Sequence, residues 1–576
     1  MVGQAVSVQG IVTGDFQGEA RLGGFFLQGE PDGNPRTSDG VFVFDGNDPD
    51  RDVEVGDRVE VTGTVTEYFG ETQIVAQAVT VMGNGEVQPT PVTLPAAGLV
   101  RNNDGVLIAD LEAYEGMLVT FPQTLTVSDL RNLGRYGELR LAQGGRPQTD
   151  TNDNTPDAIA YAAFLEQLAT REILLDDGRR VEHPTPNRFL TTDPAGRRSI
   201  RIGDQVTGLT GNLRYSRGSG NAGVETWRLI PGDDPPFAAA GPRPGPPDVP
   251  GDLRVATFNL LNYFTTIDTG RRVCGPRQDG SCRGADSKAE FRRQQAKLVT
   301  ALGQVDADIV GLVELENNAR ASLASLVDAL NGNGEASYAY VDTGAIGDDS
   351  IKVGLIYQPE TVTPLGRHAI LDRAVDSRFS DRRNRPVLAQ SFVENRSDAV
   401  LTVAVVHLKS KGSPCDADGD PDLGDGQGNC NRTRTLAAEA MADWLAADPT
   451  ASGDPDVLIV GDFNAYRRED PIVALESAGY RRLAPDGNMD VSYSYVFRGR
   501  SGALDHALAS ATLAAQVAGV VEWHVNADEP PVLDYNLEHD RNPALFDPDS
   551  PYRSSDHDPV IVGLDLTATV ATKQQP

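Results

Sequence analysis

The polar residues best suited to chemistry fall where apolar runs stop. Asn259 closes Val-Ala-Thr-Phe-Asn, Glu314 closes Ile-Val-Gly-Leu-Val-Glu, and His407 closes Val-Ala-Val-Val-His. Asp462 and Asn464 follow in Gly-Asp-Phe-Asn, Asp505 in Leu-Asp-His, and Asp556 and His557 in Ser-Ser-Asp-His-Asp-Pro. Carboxylate and amide oxygens without thiols or clustered histidines suit a hard cation such as Mg2+ or Mn2+. Two histidines among them can carry protons near neutral pH. Such a set fits metal-assisted hydrolysis of a phosphoester. That reaction needs a positioned water, neutralised phosphoryl oxygens and a proton for the leaving oxygen.

Taken in this order, the motifs resemble those of the endonuclease/exonuclease/phosphatase superfamily, typified by deoxyribonuclease I. The Cys-Gly-Pro-Arg loop at Cys274 and the Asp-rich loop after His-Leu-Lys-Ser-Lys-Gly resemble bacterial extracellular nucleases of the ExeM/NucH type. The resemblance implies a four-layer αββα catalytic domain in which Glu314 is the principal metal ligand, with Asn259 and Asp556 beside it. Asp462 and Asn464 would position phosphate or water. His557, oriented by Asp505, would be the general base and His407 the general acid, although within the superfamily Asp462 and His557 divide this labour variably. Glu316 is a rival ligand two residues from Glu314, but the spacing from Asp308 favours Glu314. His506 is expected on the opposite face from Asp505, as a structural residue; His183, His368, His524 and His539 have no supporting motif.

Arginines cluster in Arg378-Phe-Ser-Asp-Arg382-Arg383-Asn-Arg385-Pro. Arg forks grip phosphates, so Arg385, with Arg382 as the second choice, is expected to bind substrate, and a solvated basic loop is the plain alternative. Tyr357 is placed near the phosphate by the resemblance, against an equal reading as a core tyrosine. Asp416, Asp418, Asp420 and Asp422 alternate like the start of a Ca2+ loop, but Pro421 stands at the glycine position and Gln427 where the closing Glu belongs. A structural Ca2+ there is an open expectation.

The formal charge is −32, so long-range attraction to a polyanion is not the design, and salt must shorten the repulsion. All cysteines form two close pairs, Cys274 with Cys282 and Cys415 with Cys430, which read as two short disulfides from an oxidising compartment. No signal peptide and no run of ~18 apolar residues is present, so an extracellular or periplasmic protein whose leader has been removed is expected.

The length suggests about three domains. Residues 1–96 alternate apolar and polar positions between turns, as in a small OB-fold-like β-barrel. Its aromatics Phe16, Phe25, Phe26, Phe42, Phe44, Tyr68 and Phe69 could stack bases or fill the barrel. Four arginines stand against fifteen acidic residues there, which favours packing or positioning. Residues 97–235 echo the first domain through Ile-Gly-Asp-Gln-Val-Thr-Gly, and a second OB-like domain with a helical insertion at Asp157–Glu172 is expected. Residues 236–250 read as a Pro/Gly linker. In residues 251–568 apolar strands alternate with helical patterns at Ser287–Gln304, Ala321–Leu330 and Thr433–Ala446, the pattern of an α/β domain.

The expected function is a secreted, sequence-nonspecific, metal-dependent endonuclease acting on DNA, with RNA as an open second substrate and no membrane segment or protein partner inferable. The alternatives are a phosphatase or phosphodiesterase for small or lipid phosphoesters, and a non-catalytic acidic surface-binding protein.

Overall fold

The computed structural model describes residues 2–46, 51–190, 200–218, 223–333, 337–485 and 492–566. Residues 567 and 568, the end of the expected catalytic domain, lie outside that set. The alternating segments of the first domain close into a barrel of β1 Ala5–Phe16, β2 Gly24–Gln28, β3 Gly40–Phe44, β4 Asp57–Tyr68 and β5 Glu71–Asn84, in the ring order β1-β2-β3-β5-β4. Inward residues Val12, Phe25, Val43, Val61 and Ile74 fill it. The weak sequence echo proves to be a topological repeat. Strands β6 Leu118–Asp129, β7 Glu138–Gln143, β8 Glu172–Asp176, β9 Gln205–Ser216 and β10 Thr226–Ile230 pair in the same circular order. As in the first ring, the third and fifth strands run parallel. Helix α1 Ala158–Ala169 is inserted between β7 and β8, and Asp157 caps it by accepting the Ile159 and Ala160 N–H groups.

The barrels pack on each other. Phe16, Phe26 and Phe42 form a cluster with Ile230 of the second barrel, and Arg214 grips Glu71 through two hydrogen bonds of 2.9 and 2.5 Å. These phenylalanines and Phe25 are therefore core, not base-stacking platforms. Tyr68 and Phe69 remain exposed.

The chain then forms strands β11 Leu253–Tyr263, β12 Ile309–Glu316, β13 Ala339–Tyr340, β14 Ile351–Tyr357, β15 Val362–Leu371 and β16 Arg385–Glu394. It continues through β17 Val400–His407, β18 Val457–Asp462, β19 Arg481–Arg482, β20 Asp505–Ala509, β21 Val517–Glu522 and β22 Val560–Leu564. They build two six-stranded sheets, ordered β13-β14-β12-β11-β22-β21 and β15-β16-β17-β18-β20-β19. Helices α2 Lys288–Val305 and α3 Ala321–Asn333 cover the first sheet, and α4 Asn431–Ala446 and α5 Asp470–Ser477 cover the second.

Alternation along each strand explains the layering. Val403 and Val405 meet Val255 and Val313 between the sheets, whereas Ala404 and Val406 meet Ala438 and Met441 of α4. Three apolar layers thus separate four layers of structure, α-β-β-α. Helix α2 starts at Ser287, whose hydroxyl accepts the Glu290 N–H, while Glu290 accepts the Asp286 N–H; Leu298, Ala301, Leu302 and Val305 make its buried stripe. No helix among the described residues is long and apolar enough to cross a membrane.

The Pro/Gly linker at residues 236–250 is docked along the catalytic domain: Arg243 binds Glu529, Pro244 O accepts the Tyr552 hydroxyl and Gly245 O accepts the Trp523 indole N–H. Both disulfides form, but the four aspartates of the Cys415–Cys430 loop do not converge on a cation position. Asp420 caps α4 by accepting the Arg432 and Thr433 N–H groups, Asp418 pairs with Arg383, Asp422 accepts the Gly424 N–H, and Asp416 is exposed. Turned to separate partners, these carboxylates serve the loop's own geometry.

Candidate active site

One row of side chains crosses the second sheet. In its hydrogen-bonded register Arg385 lies opposite His407, His407 opposite Asp462, and Asp462 opposite Asp505. Directly opposed residues share a face. That face is the inter-sheet one, because Val405, Val460 and Ala507, two residues away from His407, Asp462 and Asp505, belong to the inter-sheet core. The middle apolar layer therefore turns polar at one end.

The first sheet meets this row with Asn259 and Glu314. Val313 faces the inter-sheet core, and an undisturbed strand would turn Glu314 to the helices. Instead the β12–β14 register shifts between Leu312 and Leu315, and Glu314 takes φ 64°. A left-handed glutamate in a strand is strained, and such strain concentrates at functional sites. The carboxylate ends on the Asn262 N–H at 2.8 Å, in a turn where Leu261 and Asn262 also have positive φ. Burial, with the Asp556 carboxylate nearby, pushes the Glu314 carboxyl above its ordinary range. Glu316, the rival ligand, is spent on the Thr265 and Thr266 N–H groups and the Asn318 amide.

His557 arrives on the loop before β22. Its Nδ1 lies 2.6 Å from Asp505 Oδ2, which also accepts the Ser494 hydroxyl at 2.7 Å. Tyr495 stacks on its ring at 4.5 Å. Burial opposes a charge on His557, but Asp505, Asp556 and Asp462 outweigh it and hold the imidazole protonated well above its ordinary range. His407 is the reverse. Burial, reinforced by Arg385, His557, Arg283 and Lys409, keeps it neutral. Burial first, then the Asp505 and Glu314 carboxylates, raise Asp462, with His557 pulling it down.

Of the remaining predicted residues, Asn464 spends its amide on Leu408 O and Asp462 Oδ2 and its backbone N–H on Asp462 Oδ1, so it aims Asp462. Arg385 is buried in the row, donates to Leu408 O at 3.1 Å and leaves a buried Nε without a hydrogen bond, 3.6 Å from Asp349. Arg382 is exposed on the preceding turn. Tyr357 is a correction. Strand β14 runs antiparallel to β12, so Tyr357 pairs with Ile309 at the end away from Glu316 and packs on Phe392 between the sheets. It is a core tyrosine. His506 donates its ring N–H to Ala465 O, away from the row, as expected.

The described residues include two compact groups of possible ligands: Asp462, Asp505 and His557, and, apart from the row, Asp286, Glu290 and Glu538. In the first group Asp505 and His557 already satisfy each other. Glu314 and Asp556 are close enough to act on each other, every cysteine is in a disulfide so no thiol competes, and Asn259 accepts the Leu261 N–H at 2.9 Å while its buried amide nitrogen has no partner. Two mutually repelling acids at Glu314 and Asp556 fit a divalent cation.

Asn526, which no motif marks, ties the Ser-Ser-Asp-His-Asp-Pro loop together. Asn526 donates to His557 O and accepts from Ser554 and the Ser555 N–H; Asp558 accepts the Asn526 and Ala527 N–H groups and lies 2.9 Å from His524 Nδ1. The second barrel reaches in as well. Through its helical turn Asp150–Asp153, the Asn152 side chain accepts the Ala503 N–H, its carbonyl accepts Arg467, and Thr151 donates to Glu469. The local sequence signal for this part of the site is the Ser-Tyr-Ser-Tyr run at Ser492–Tyr495.

Gly461 makes the row possible. Its φ is 139°, and a Cβ there would fall 2.0 Å from Val406 O. Gly461→Ala is expected to lose about 2–4 kcal/mol in chemical denaturation. An unchanged midpoint would show that the close approach is not needed.

Residues 256–557 match the sequence family described as Endonuclease/Exonuclease/phosphatase family. No curated protein matches the chain. Similar solved structures include the human Nocturnin catalytic domain with bound sulfate (14% identity, 55% of this chain and 94% of that chain, TM-score 0.34). Another is D. rerio TDP2 complexed with single strand DNA product (15% identity, 54% and 97% covered, TM-score 0.31). A third is the Bacteroides thetaiotaomicron mannosyl-6-phosphatase Bt3783 (15% identity, 54% and 99% covered, TM-score 0.32).

Proposed function

The chain belongs to the Endonuclease/Exonuclease/phosphatase family, and from that premise we propose that it is a secreted, divalent-metal-dependent nuclease that hydrolyses DNA, and secondarily RNA, with little sequence preference. The observation that carries this is the Arg385-His407-Asp462-Asp505 row facing Asn259 and Glu314, with His557 bound to Asp505. A buried arginine, a protonated histidine and a proton-accepting aspartate are what a phosphodiester requires. The two disulfides support secretion. The shared strand order of the two barrels supports reading both as OB-type modules.

In this reading Glu314, Asn259 and Asp556 hold Mg2+ or Mn2+. When bound, the ion supplies positive charge to a phosphoryl oxygen. Asp462, aimed by Asn464, takes the proton from the attacking water. His557, kept charged by Asp505, gives its proton to the leaving oxygen as that oxygen's bond to phosphorus breaks, and neutral His407 and Arg385 hold the remaining phosphoryl oxygens.

Digestion of supercoiled plasmid with Mg2+, Mn2+ or Ca2+, alone and with EDTA, tests this. Nicking that disappears with EDTA is expected. Hydrolysis of a chromogenic phosphodiester or sphingomyelin with no nicking in any metal or salt would assign the site to small or lipid substrates.

A further inference from the structure

The chain carries a net charge of −32, yet one groove of about 860 Å3 is lined by Arg101, Arg131, Arg140, Arg217, Arg498 and Arg500. It runs over the second barrel across β7 and β8, between the β6–β7 loop and the loop after β9, and ends on the hairpin Tyr495–Phe497/Arg500–Gly502. Asp129, Glu138 and Glu172 also line it, but they are engaged: Glu172 binds Arg140 at 2.8 Å, Glu138 binds the buried Arg228 at 3.1 Å, and Asp129 accepts the Arg131 backbone N–H at 2.8 Å with the exposed Arg131 guanidinium 3.9 Å away. Arg101, Arg131 and Arg498 are exposed.

Beside each end, an exposed aromatic ring lies beneath an arginine that lines the groove. At one end Arg498 lies over Phe497 at 5.2 Å; at the other Arg217 lies over Phe69 at 5.3 Å, beside Tyr68 on the β4–β5 turn of the first barrel. Phe497, Phe69 and Tyr68 are 41%, 50% and 55% exposed. Large exposed rings flanking a groove of arginines offer stacking and phosphate neutralisation together. The hairpin fixes the direction. Tyr495 stacks on His557, and Arg498 is three residues further on, about 10 Å at the usual strand rise.

We propose that this groove binds a single-stranded segment of nucleic acid and leads it to the cleft, its phosphates on Arg101, Arg131 and Arg498 and its bases on Phe497 and the Tyr68-Phe69 turn. The inference rests on the nuclease reading and adds the part of the molecule that holds the strand away from the scissile bond. Repulsion from the acidic surface confines the strand to the groove, because a strand elsewhere meets net negative charge. A duplex would shield its bases from the rings.

The test uses the full chain with His557→Ala, so that bound strands survive, and titrates labelled single strands of about 20 and about 4 nucleotides over a range of salt. The triple substitution Arg101→Gln, Arg131→Gln, Arg498→Gln is expected to weaken the longer strand at least about tenfold and to reduce the salt slope by about 0.7 per arginine, affecting the short strand less. Phe497→Ala is expected to weaken binding without changing the slope. In the active chain the triple substitution leaves melting and turnover of a small chromogenic phosphodiester unchanged, which separates it from misfolding. Equal affinity and slope in parent and triple variant, or no binding by the parent, overturn the groove. Plasmid cleavage by the active chain is scored separately and alone decides the nuclease reading.

Discussion

His557→Ala lowers metal-dependent hydrolysis by roughly 10^3-fold, in the range expected when a positioned proton-transfer group is lost. The substitution leaves Asp505 bound to Ser494, so the fold survives, which circular dichroism checks. Asp505→Asn is the sharper variant because the two candidate roles of His557 respond in opposite ways. Asp505 is the largest of the influences that raise His557. If the protonated ring does the work, activity is present below its pKa and lost as pH rises through it; removing the carboxylate lowers that pKa, so the alkaline limb of the pH–rate profile moves to lower pH. If the neutral ring were the base, the acid limb would move to lower pH instead, and activity at low pH would rise. Profiles at saturating Mg2+ read the difference, and a shifted acid limb restores His557 as base. A variant that keeps wild-type rate and profile would remove the dyad from the mechanism.

Much of the site was legible because its motifs are local. Gly-Asp-Phe-Asn marks a strand end, a close approach at Gly461 and a carboxylate aimed by its own neighbour, all within a few residues. What a strand's sequence does not say is which way it runs beside its neighbours. Tyr357 was placed at the phosphate on resemblance, and the antiparallel pairing of β14 with β12 puts it at the far end of the sheet. Asp420 shows the same limit: alternating carboxylates suggest a cation loop until α4 is seen to begin beneath them. Proton placement is less local still. Burial, reinforced by the distant Arg385 and Arg283, holds His407 neutral, whereas Asp505, Asp556 and Asp462 outweigh burial at His557. The repeat of the barrel was visible only as a weak echo, since ring order is carried by strand pairing and not by any motif.

Nothing in the motifs indicated that the second barrel helps to hold His557, and that dependence yields the other large expected effect. Arg146 binds Asp528 and lies 4.2 Å over the Tyr493 ring; Arg201 reaches Asp528 at 3.3 Å and Glu529 at 2.9 Å; Tyr493 donates to Asp528 at 3.0 Å. Tyr493 in turn stacks on His524 at 3.8 Å, and His524 touches Asp558, the residue after His557. Asp528 lies two residues beyond Asn526, which grips the His557 carbonyl at 2.7 Å. Removing one side of such a buried pair leaves uncompensated charge, so Asp528→Ala is expected to lose about 3–5 kcal/mol of stability. A purely structural role would end there. Positioning predicts more: kcat on a small phosphodiester falls by roughly ten- to a hundredfold, because a shift near 1 Å in a reacting group costs about that much, while KM stays close to its parent value. Asp528→Asn keeps an acceptor for Tyr493 and should recover part of kcat. If Asp528→Ala unfolds easily yet turns over at the parent rate below its melting temperature, the barrel only buttresses the domain. A fall in kcat that Asp528→Asn partly restores would make the second barrel part of the catalytic unit, and it would explain why its ion pairs reach the chain immediately around His557.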